Sequence, residues 1–360
     1  MTATSPLPVS ATPLDPVELQ AAQVPAYLAS QGLARDVAST QARELPGGVS
    51  NRTFWVERPE GPLVLKQARA RLAVALEWRA DVRRILREAE AMAWLHARLG
   101  APHIPRLLHV DRAAMVLAME AIPPPAENYK TLQLAGQADA GLAAQWGGLL
   151  ARIHNATRDD ATRQAFGDAT FFEQLRMSPY YDQVARVHPR LAGRLAELRR
   201  ECLERTWCMV HGDYSAKNAL LRQGQLVLLD YEVAHFGNPS FDLAFALTDY
   251  LCTALHLPGR GAAFCAAAGA FWHAYLDAAA LPEASREQAG AHLAAVMLAR
   301  VDGKSPFEYF TDPWRQQQVR ALAGAVLLAG HREESTVPAV IGAVAQAAGQ
   351  APPPGAGGGL

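Results

Sequence analysis

This chain of 360 residues has almost no net charge and only four cysteines, and its aromatic residues are scattered. Lys and Arg together number 34 against 35 Asp and Glu, so the formal net charge is −1. That balance argues against bulk electrostatic binding to nucleic acid or to an acidic membrane surface, while a local basic pocket is still compatible with it. Aromatic residues make up 8% of the chain. They do not alternate with Lys or Arg, as they would on a face that binds single-stranded nucleic acid. We therefore expect no nucleic-acid partner.

The four cysteines, Cys202, Cys208, Cys252 and Cys265, form no CxxC pair, and their spacing fits no zinc-site pattern. A cysteine without such a role usually acts as a small buried hydrophobe. We expect four buried free thiols in a reducing compartment.

Long apolar runs are absent as well. No stretch reaches the roughly 18 to 20 apolar residues that a membrane span needs, and the best candidate, ALAGAVLLAG at 321–330, is followed by HREE. The first residues, MTATSPLPVSATPLDP, lack the basic start and apolar core of a signal peptide. The expectation is a cytoplasmic protein without a membrane partner; its oligomeric state stays open.

The order of apolar patterns predicts an α+β chain in two lobes. Strand-like alternation surrounds a Gly-Gly turn at 40–67, a helical period follows at 74–99, and RLLHV and AAMVLAME read as two more strands. Three prolines in AIPPPAENY then stop regular structure. The predicted parts are a disordered N-terminus at 1–16, a small β-rich lobe at 17–120, a hinge at 121–126, a large mainly helical lobe at 127–349 and a disordered tail at 350–360. Within the large lobe we predict helices at 130–157, 171–205, 241–256, 261–279, 283–301 and 312–330, interrupted by a strand pair in ALLRQ and QLVLLDYE.

Two stretches of the large lobe, HGDYSAKNAL and VLLDYEVAHFGNPSFDLA, carry polar residues in a pattern that a folded core does not need. Phosphoryl transfer requires metal ligands and a carboxylate near the attacking hydroxyl. Asp213 is placed to orient and partly deprotonate a substrate hydroxyl. Asn218 and Asp230 offer the hard oxygen ligands that Mg²⁺ prefers. Each residue alone would be read as a turn or cap residue, and the combination makes the chemical interpretation the stronger one.

Residues of the small lobe can supply the contacts to ATP phosphates. Lys66 ends the strand LVLK, and a buried lysine is costly unless it is paired. We expect it on the α- and β-phosphates with Glu88 of the long helix as partner, although Glu88 could instead form a surface pair with Arg84. The loop PGGVSN would cover the phosphates through Gly47, Gly48, Ser50 and Asn51, with an ordinary hairpin turn as the alternative. At the hinge, backbone groups of Glu120 and Ile122 could hydrogen-bond adenine.

Taken in order, GGxSN, the strand lysine, the helix glutamate, ME, HGDxxxxN, LDxE and FDLA resemble the aminoglycoside phosphotransferase family, which includes choline and methylthioribose kinases. The resemblance covers about residues 40 to 310. It implies a bilobal protein-kinase-like fold, ATP with Mg²⁺, catalysis by Asp213 and metal binding by Asn218 and Asp230. It also implies that Asp242 and His211 brace the catalytic loop. Protein kinases carry a lysine where this chain has Ser215; Lys217 could reach the γ-phosphate or face solvent.

These features predict an ATP-dependent kinase that phosphorylates a hydroxyl of a small metabolite or antibiotic. The alternatives are an inactive nucleotide-binding module of the same fold and a metal-dependent phosphoesterase, although GN at 237–238 runs into proline where the latter needs histidine. A peptide substrate is disfavoured because FDLA follows Asp230 too soon for an activation segment. Few clustered acids favour a metabolic alcohol or sugar over a polycationic aminoglycoside. The charges of Arg300, Asp302 and Lys304 could line the acceptor site or close internal salt bridges.

Overall fold

The computed structural model describes residues 17–46, 50–71, 80–280, 282–330 and 333–351, without the side chains of Glu283, Ala284 and Glu334. The predicted disordered N-terminus, Gly47 and Gly48, and nearly all of the predicted tail lie outside these residues. The described chain falls into two compact units. The first runs to Ala89 and includes Leu107–Ala121; the second comprises Glu90–Arg106 and the chain from Ile122 onward.

The first unit is built on a five-stranded antiparallel sheet of strand order β1-β2-β3-β5-β4. Its residues alternate between two faces, so that Leu63 and Leu65 join the core cluster with Phe54 and Val56 while Lys66 points to the other side. The elements up to Glu120, in chain order, are α1 (Val24–Ser30), β1 (Gln41–Glu44), β2 (Asn51–Glu57), β3 (Leu63–Ala68), α2 (Arg84–Leu99), β4 (Leu107–Asp111) and β5 (Val116–Glu120). Helix α2 belongs to the first unit only as far as Ala89.

The long helix of this region begins later than its apolar period predicted. Residues 80–83 are not helical, and α2 begins at Arg84, where the Asp81 carboxylate accepts a hydrogen bond from the Arg83 backbone N–H at 2.9 Å. An aspartate that binds nearby backbone favours a turn over a continued helix. Residues 74–79 of the predicted helix lie outside the described residues. Helix α1 was not predicted; it supplies Val24 and Leu28 to the core.

The second unit is mainly helical and carries two small sheets, β10-β7 and β6-β8-β9. Nearly the whole length of its central helix, α9, is buried. Its strands are β6 (Glu127–Asn128), β7 (Cys208–Val210), β8 (Ala219–Arg222), β9 (Gln225–Leu228) and β10 (His235–Gly237). Its helices are α3 (Tyr129–Leu134), α4 (Ala140–Ala156), α5 (Asp160–Phe166), α6 (Thr170–Phe172), α7 (Gln183–Val187), α8 (Ala192–Glu204), α9 (Ser240–His256), α10 (Gly261–Ala278), α11 (Glu283–Asp302), α12 (Pro313–Ala329) and α13 (Val337–Ala348).

Four of the predicted helices match α9 to α12 within one residue at each end. The predicted helix 130–157 is two helices, because Gly136 takes a left-handed conformation (φ 84°) and Asp139 caps α4 by accepting from the Gly141 N–H at 2.7 Å. The predicted helix 171–205 is also wrong as one element: Glu173–Asp182 is a π-helix containing Pro179, and α7 and α8 follow separately. Helix α13 was not predicted.

All four cysteines are buried and free, as expected from their spacing. Among the residues that the structure describes, no helix combines the length and apolarity of a membrane span.

Helices α4 and α10 approach each other closely at Gly147. A Cβ at this position would lie 2.2 Å from the carbonyl oxygen of Phe271, whereas a Cβ at Gly148 would meet nothing within 4 Å. Because the clash is with backbone, it cannot be relieved by a side-chain rotation.

We predict opposite effects for alanine at these neighbouring glycines. Gly147→Ala should lower the free energy of unfolding by roughly 1–3 kcal/mol through overpacking, whereas Gly148→Ala should raise it by about 0.5–1 kcal/mol by removing helix-interior glycine. Urea unfolding of both variants beside the parent protein measures this. Equal effects of the two substitutions would contradict the close α4–α10 packing.

Candidate catalytic site

The loop HGDYSAKN connects β7 to β8 and carries the predicted catalytic residues. Strand β7 pairs with β10, which fixes the loop's start, and a 3₁₀ turn at Ala216–Asn218 ends it. Gly212 adopts φ 75°, and a Cβ there would come within 2.8 Å of Val233. The glycine of HGD is therefore required by both conformation and space.

Two buried aspartates of α9 hold the loop's backbone. The carboxylate of Asp242 accepts hydrogen bonds from the N–H groups of His211 at 2.7 Å and Gly212 at 2.8 Å. Further along the loop, the Asp249 carboxylate accepts a hydrogen bond from the Ala216 N–H at 2.7 Å. Charged acceptors make strong hydrogen bonds to backbone N–H groups. These contacts give Asp242 the bracing role that the resemblance implied; Asp249 was not singled out in the sequence.

His211 fastens the same loop from within. Its Nδ1 accepts from the Asp213 N–H at 3.1 Å, and its Nε2 lies 3.1 Å from the carbonyl oxygen of Leu229. Because Nδ1 accepts a backbone N–H and Nε2 faces a carbonyl oxygen, the hydrogen bonds place the ring proton on Nε2; burial lowers the pKa of His211, in agreement with this arrangement. Both ring nitrogens are therefore engaged with backbone, as loop bracing requires.

Asp213 presents two unlike carboxylate oxygens. Its Oδ2 lies 2.8 Å from Arg176 Nη2 and 2.8 Å from Lys217 Nζ. Its Oδ1 has no hydrogen-bond partner among the described residues. Burial alone would raise the pKa of Asp213, but the neighbouring cations, Arg176 foremost, hold it well below its usual range. Asp213 is therefore a fixed carboxylate whose second oxygen is buried and lacks, within the described chain, the hydrogen-bond donor that a buried acceptor normally has.

Lys217 points toward Asp213, and its side chain is 48% exposed. Partial burial of the side chain acts to lower the pKa of Lys217, but the carboxylates of Asp213 and Asp230 outweigh it and raise that pKa. The lysine is thus a cation between two of the predicted site carboxylates, and contact with a γ-phosphate stays a prediction.

The β8–β9 ladder places Asn218 opposite Leu229, the residue before Asp230. The Leu229 N–H donates to the Asn218 carbonyl oxygen at 2.8 Å, which ties the two predicted metal ligands across neighbouring chain segments. The Asn218 side chain donates Nδ2–H to the Asp213 carbonyl oxygen at 2.9 Å, and its Oδ1 makes no hydrogen bond to described residues. An amide oxygen oriented in this way fits a Mg²⁺ ligand.

Asp230 and Glu232 add carboxylates to this place. Asp230 has φ 70°, a conformation that non-glycine residues rarely adopt and that is concentrated at functional sites. A carboxylate oxygen of Glu232 lies within 4.8 Å of one of Asp230, and Glu232 is buried. The sequence contained the signal for Glu232 in LDxE, but it was not assigned as a candidate. This oxygen set fits a divalent hard cation.

In the first unit, Lys66 and Glu88 form the predicted pair. Lys66 Nζ lies 2.5 Å from Glu88 Oε1, with the two side chains 8% and 0% exposed. Arg84, the alternative partner, instead donates to backbone carbonyl oxygens, including that of Arg69 at 2.8 Å. The described Lys66–Glu88 contact is the predicted buried pair, and Arg84 and Glu88 are both fully buried.

The other predicted nucleotide contacts are described only in part. Ser50 precedes β2, and its carbonyl oxygen accepts from the Arg69 N–H at 2.9 Å. Asn51 is buried at the start of β2, with Nδ2 3.3 Å from the Ser50 hydroxyl. Glu120 is the exposed last residue of β5, and Ile122 follows the strand. Their contact with a nucleotide stays a prediction.

Arg300, Asp302 and Lys304 have different surroundings. Asp302 forms an internal salt bridge with Arg320 at 2.7 Å, and its carboxylate also lies 2.7 Å from His188 Nε2. The Lys304 backbone N–H donates to the Pro179 carbonyl oxygen. Arg300, by contrast, is buried beside aromatic rings and hydrogen-bonds Ser305.

Comparison with known proteins supports this assembly of motifs. A family-wide sequence profile described as the phosphotransferase enzyme family matches residues 41–287, more than half of the chain. The chain belongs to the phosphotransferase enzyme family. Methylthioribose kinase 2 of Oryza sativa subsp. japonica is 25% identical over 266 residues, which cover 64% of this chain and 61% of that protein. The match thus spans about three fifths of this relative's length.

Two solved kinase structures share the fold of this chain. A choline/ethanolamine kinase family protein from Mesorhizobium loti has a TM-score of 0.50 at 18% identity, covering 90% of this chain and 98% of that chain. An amicoumacin kinase in complex with an ATP analogue has a TM-score of 0.52 at 13% identity, covering 85% and 93%. The expected α+β, kinase-like fold is confirmed.

The bracing role of Asp242 predicts a stability effect. Asp242→Asn replaces an acceptor oxygen by an N–H₂ group that faces backbone donors in a buried place. We expect the free energy of unfolding to fall by about 3 kcal/mol, since hydrogen bonds to charged groups contribute about 1.5–3 kcal/mol each. Urea unfolding measures it, with Asp277→Asn at an exposed position as the matched control. A loss as small as that of the control would remove Asp242 from this role.

Proposed function

We propose that this phosphotransferase is an ATP- and Mg²⁺-dependent small-molecule kinase. It would transfer the γ-phosphoryl group of ATP to a hydroxyl of a small metabolite or antibiotic. The observation that carries the proposal is the asymmetry of Asp213, whose Oδ2 is held by Arg176 and Lys217 while Oδ1 has no partner among the described residues. A carboxylate fixed in this manner can orient one hydroxyl.

Asp213 acts mainly by orientation in this proposal. Its lowered pKa makes it a weak base, which suits a loose transition state in which the hydroxyl proton moves late. The acceptor oxygen forms a bond to the γ-phosphorus, the bond to the ADP oxygen breaks, and ADP leaves with the electron pair. The hydroxyl proton passes to Asp213 Oδ1 and from there to solvent.

The remaining residues hold the nucleotide. Asn218, Asp230 and Glu232 supply oxygen ligands for Mg²⁺, which neutralises phosphate charge when it is bound. Lys66, kept in place by Glu88, contacts the α- and β-phosphates, and Lys217 contacts the γ-phosphate. Ser50 and Asn51 donate to phosphate oxygens, and backbone groups of Glu120 and Ile122 bind adenine.

Two observations bear on the alternatives. Both ends of the Asn238 amide are used, since Nδ2 donates to the Glu201 carbonyl oxygen and Oδ1 accepts from the Ser240 N–H. The GN pair that a phosphoesterase would use is therefore occupied by structural bonds. Inactive nucleotide-binding modules usually lack the lysine, the catalytic aspartate or the metal aspartate, and this chain has Lys66, Asp213 and Asp230.

The deciding experiment is coupled ADP release with Mg·ATP against a panel of hydroxylated acceptors. The panel contains methylthioribose, suggested by the rice relative, with aminoglycosides, choline, homoserine, simple sugars, hydroxy acids and sugar phosphates. We expect acceptor-dependent ADP release, and a loss of roughly 10²–10⁴-fold in kcat for Asp213→Asn, because the amide neither orients the hydroxyl as the carboxylate does nor accepts its proton.

Binding separates this loss from misfolding. The rise in Tm with Mg·ATP should persist in Asp213→Asn, and the exposed Asp160→Asn should behave as the parent protein in both assays. Mg·ATP binding without turnover on any acceptor would favour the inactive module. An unchanged kcat in Asp213→Asn would remove that residue from the mechanism.

A further inference from the structure

Beside Asp213, the second unit contains a row of cations interleaved with aromatic rings. The guanidinium carbon of Arg176 lies 5.9 Å from the ring centre of Tyr180 and 5.5 Å from that of Phe245. Arg300 contacts the same two rings from 5.1 Å and 4.8 Å. The rings therefore connect the arginine that pairs with Asp213 to a second, buried arginine.

The row continues to a lysine. Arg300 also lies 4.6 Å from the ring centre of Phe307, and Lys130 Nζ lies 4.0 Å from the same ring. Lys130 Nζ is 3.8 Å from Asp249, the residue that braces the catalytic loop at Ala216. The row of three cations thus reaches the catalytic loop at both ends: Arg176 pairs with Asp213, and Lys130 lies beside Asp249.

Arg300 is the unusual member of this row because it is only 7% exposed and forms no salt bridge among the described residues, although its charge helps to lower the pKa of Asp213. Its hydrogen bonds within the described chain come from Nη1 alone, and both acceptors belong to the neutral Ser305, at 3.1 Å and 3.5 Å. A buried guanidinium without a counter-charge is costly, and its planar fork suits carboxylate and phosphate groups.

The local charges do not cancel. The row and Lys217 supply four cations, and the acids in contact with them, Asp213 and Asp249, supply two negative charges. Asp230 and Glu232 also act on Arg176, but Mg²⁺ would occupy those carboxylates in the proposed function. Burial lowers the pKa of Lys130, and the nearby Arg300 and Lys217 add to this lowering against the opposing Asp249.

We propose that the acceptor of this kinase carries an anionic group, a carboxylate or a phosphate, which Arg300 and Lys130 bind while its hydroxyl lies at Asp213. This inference rests on the proposed function and narrows its acceptor class. A polycationic aminoglycoside or choline would meet like charges at this place, which is costly.

The test measures binding to protein saturated with Mg·ADP, so that nucleotide sites are filled. The probes share a three-carbon skeleton: D-glycerate, glycerol 3-phosphate and uncharged glycerol, with kanamycin as the polycation, all at constant ionic strength. We expect the two anions to bind by calorimetry and to raise the Tm, and glycerol and kanamycin to do neither. Which anion binds more tightly separates carboxylate from phosphate.

Arg300→Gln should weaken anion binding by roughly 10–100-fold, the factor equivalent to one lost charged hydrogen bond. The matched control is Arg152→Gln, which removes the same charge from an exposed position of α4 and should bind as the parent protein. If Arg300→Gln does not fold, Arg300→Lys and Lys130→Gln carry the test, with partial retention and a loss expected respectively.

Three results would overturn the proposal: no stabilisation by either anion, preference for kanamycin or glycerol, or equal anion binding by Arg300→Gln and the parent protein. The last would place the anion at Lys217. Failure of the proposed function looks different: either Mg·ADP would not stabilise the protein, or Mg·ATP would bind without turnover on any acceptor of the panel.

Discussion

A carboxylate buried away from water is the constraint on which the second unit depends. Asp213 is 1% exposed, and its charge persists because Arg176 and Lys217 both pair with Oδ2. Such a charge tolerates little displacement, since removing one partner of a buried pair typically costs about 3–5 kcal/mol. The loop around it is accordingly fixed by other buried acids, Asp242 and Asp249, through backbone N–H groups. Catalytic geometry and fold stability therefore share the same contacts.

Arg176 extends this constraint away from the loop. It donates Nε–H to the Gly212 carbonyl oxygen at 2.7 Å and packs against Tyr180 and Phe245, the rings that it shares with Arg300. The charge that fixes Asp213 thus belongs to the same side-chain row that would recognise the acceptor. Acceptor binding and orientation of the hydroxyl would then be coupled through rigid, packed groups, which is how positioned binding lowers a reaction barrier.

Local signals predicted what local chemistry determines. HGDxxxxN and LDxE located the loop and the predicted metal ligands, and helical periods predicted α9 to α12, because these patterns are set by neighbouring residues. The apolar periods predicted helices that were too long at three places. A turn at Asp81, a left-handed residue at Gly136 and the missing N–H of Pro179 interrupt the regular α-helix there. Arg176 and Lys130 could not be predicted, because they reach the site only through tertiary packing across long sequence separations. Glu232 could have been, since LDxE names it.

Transfer of labelled phosphate tests the central claim most directly. Protein and ATP labelled at the γ-phosphorus would be incubated with an extract of small metabolites, and the products separated by charge. We predict label in a small molecule that also carries an anionic group, formed by the parent protein and not by Asp213→Asn. Label found only in ATP, in inorganic phosphate or on the protein itself would contradict a small-molecule kinase built on Asp213.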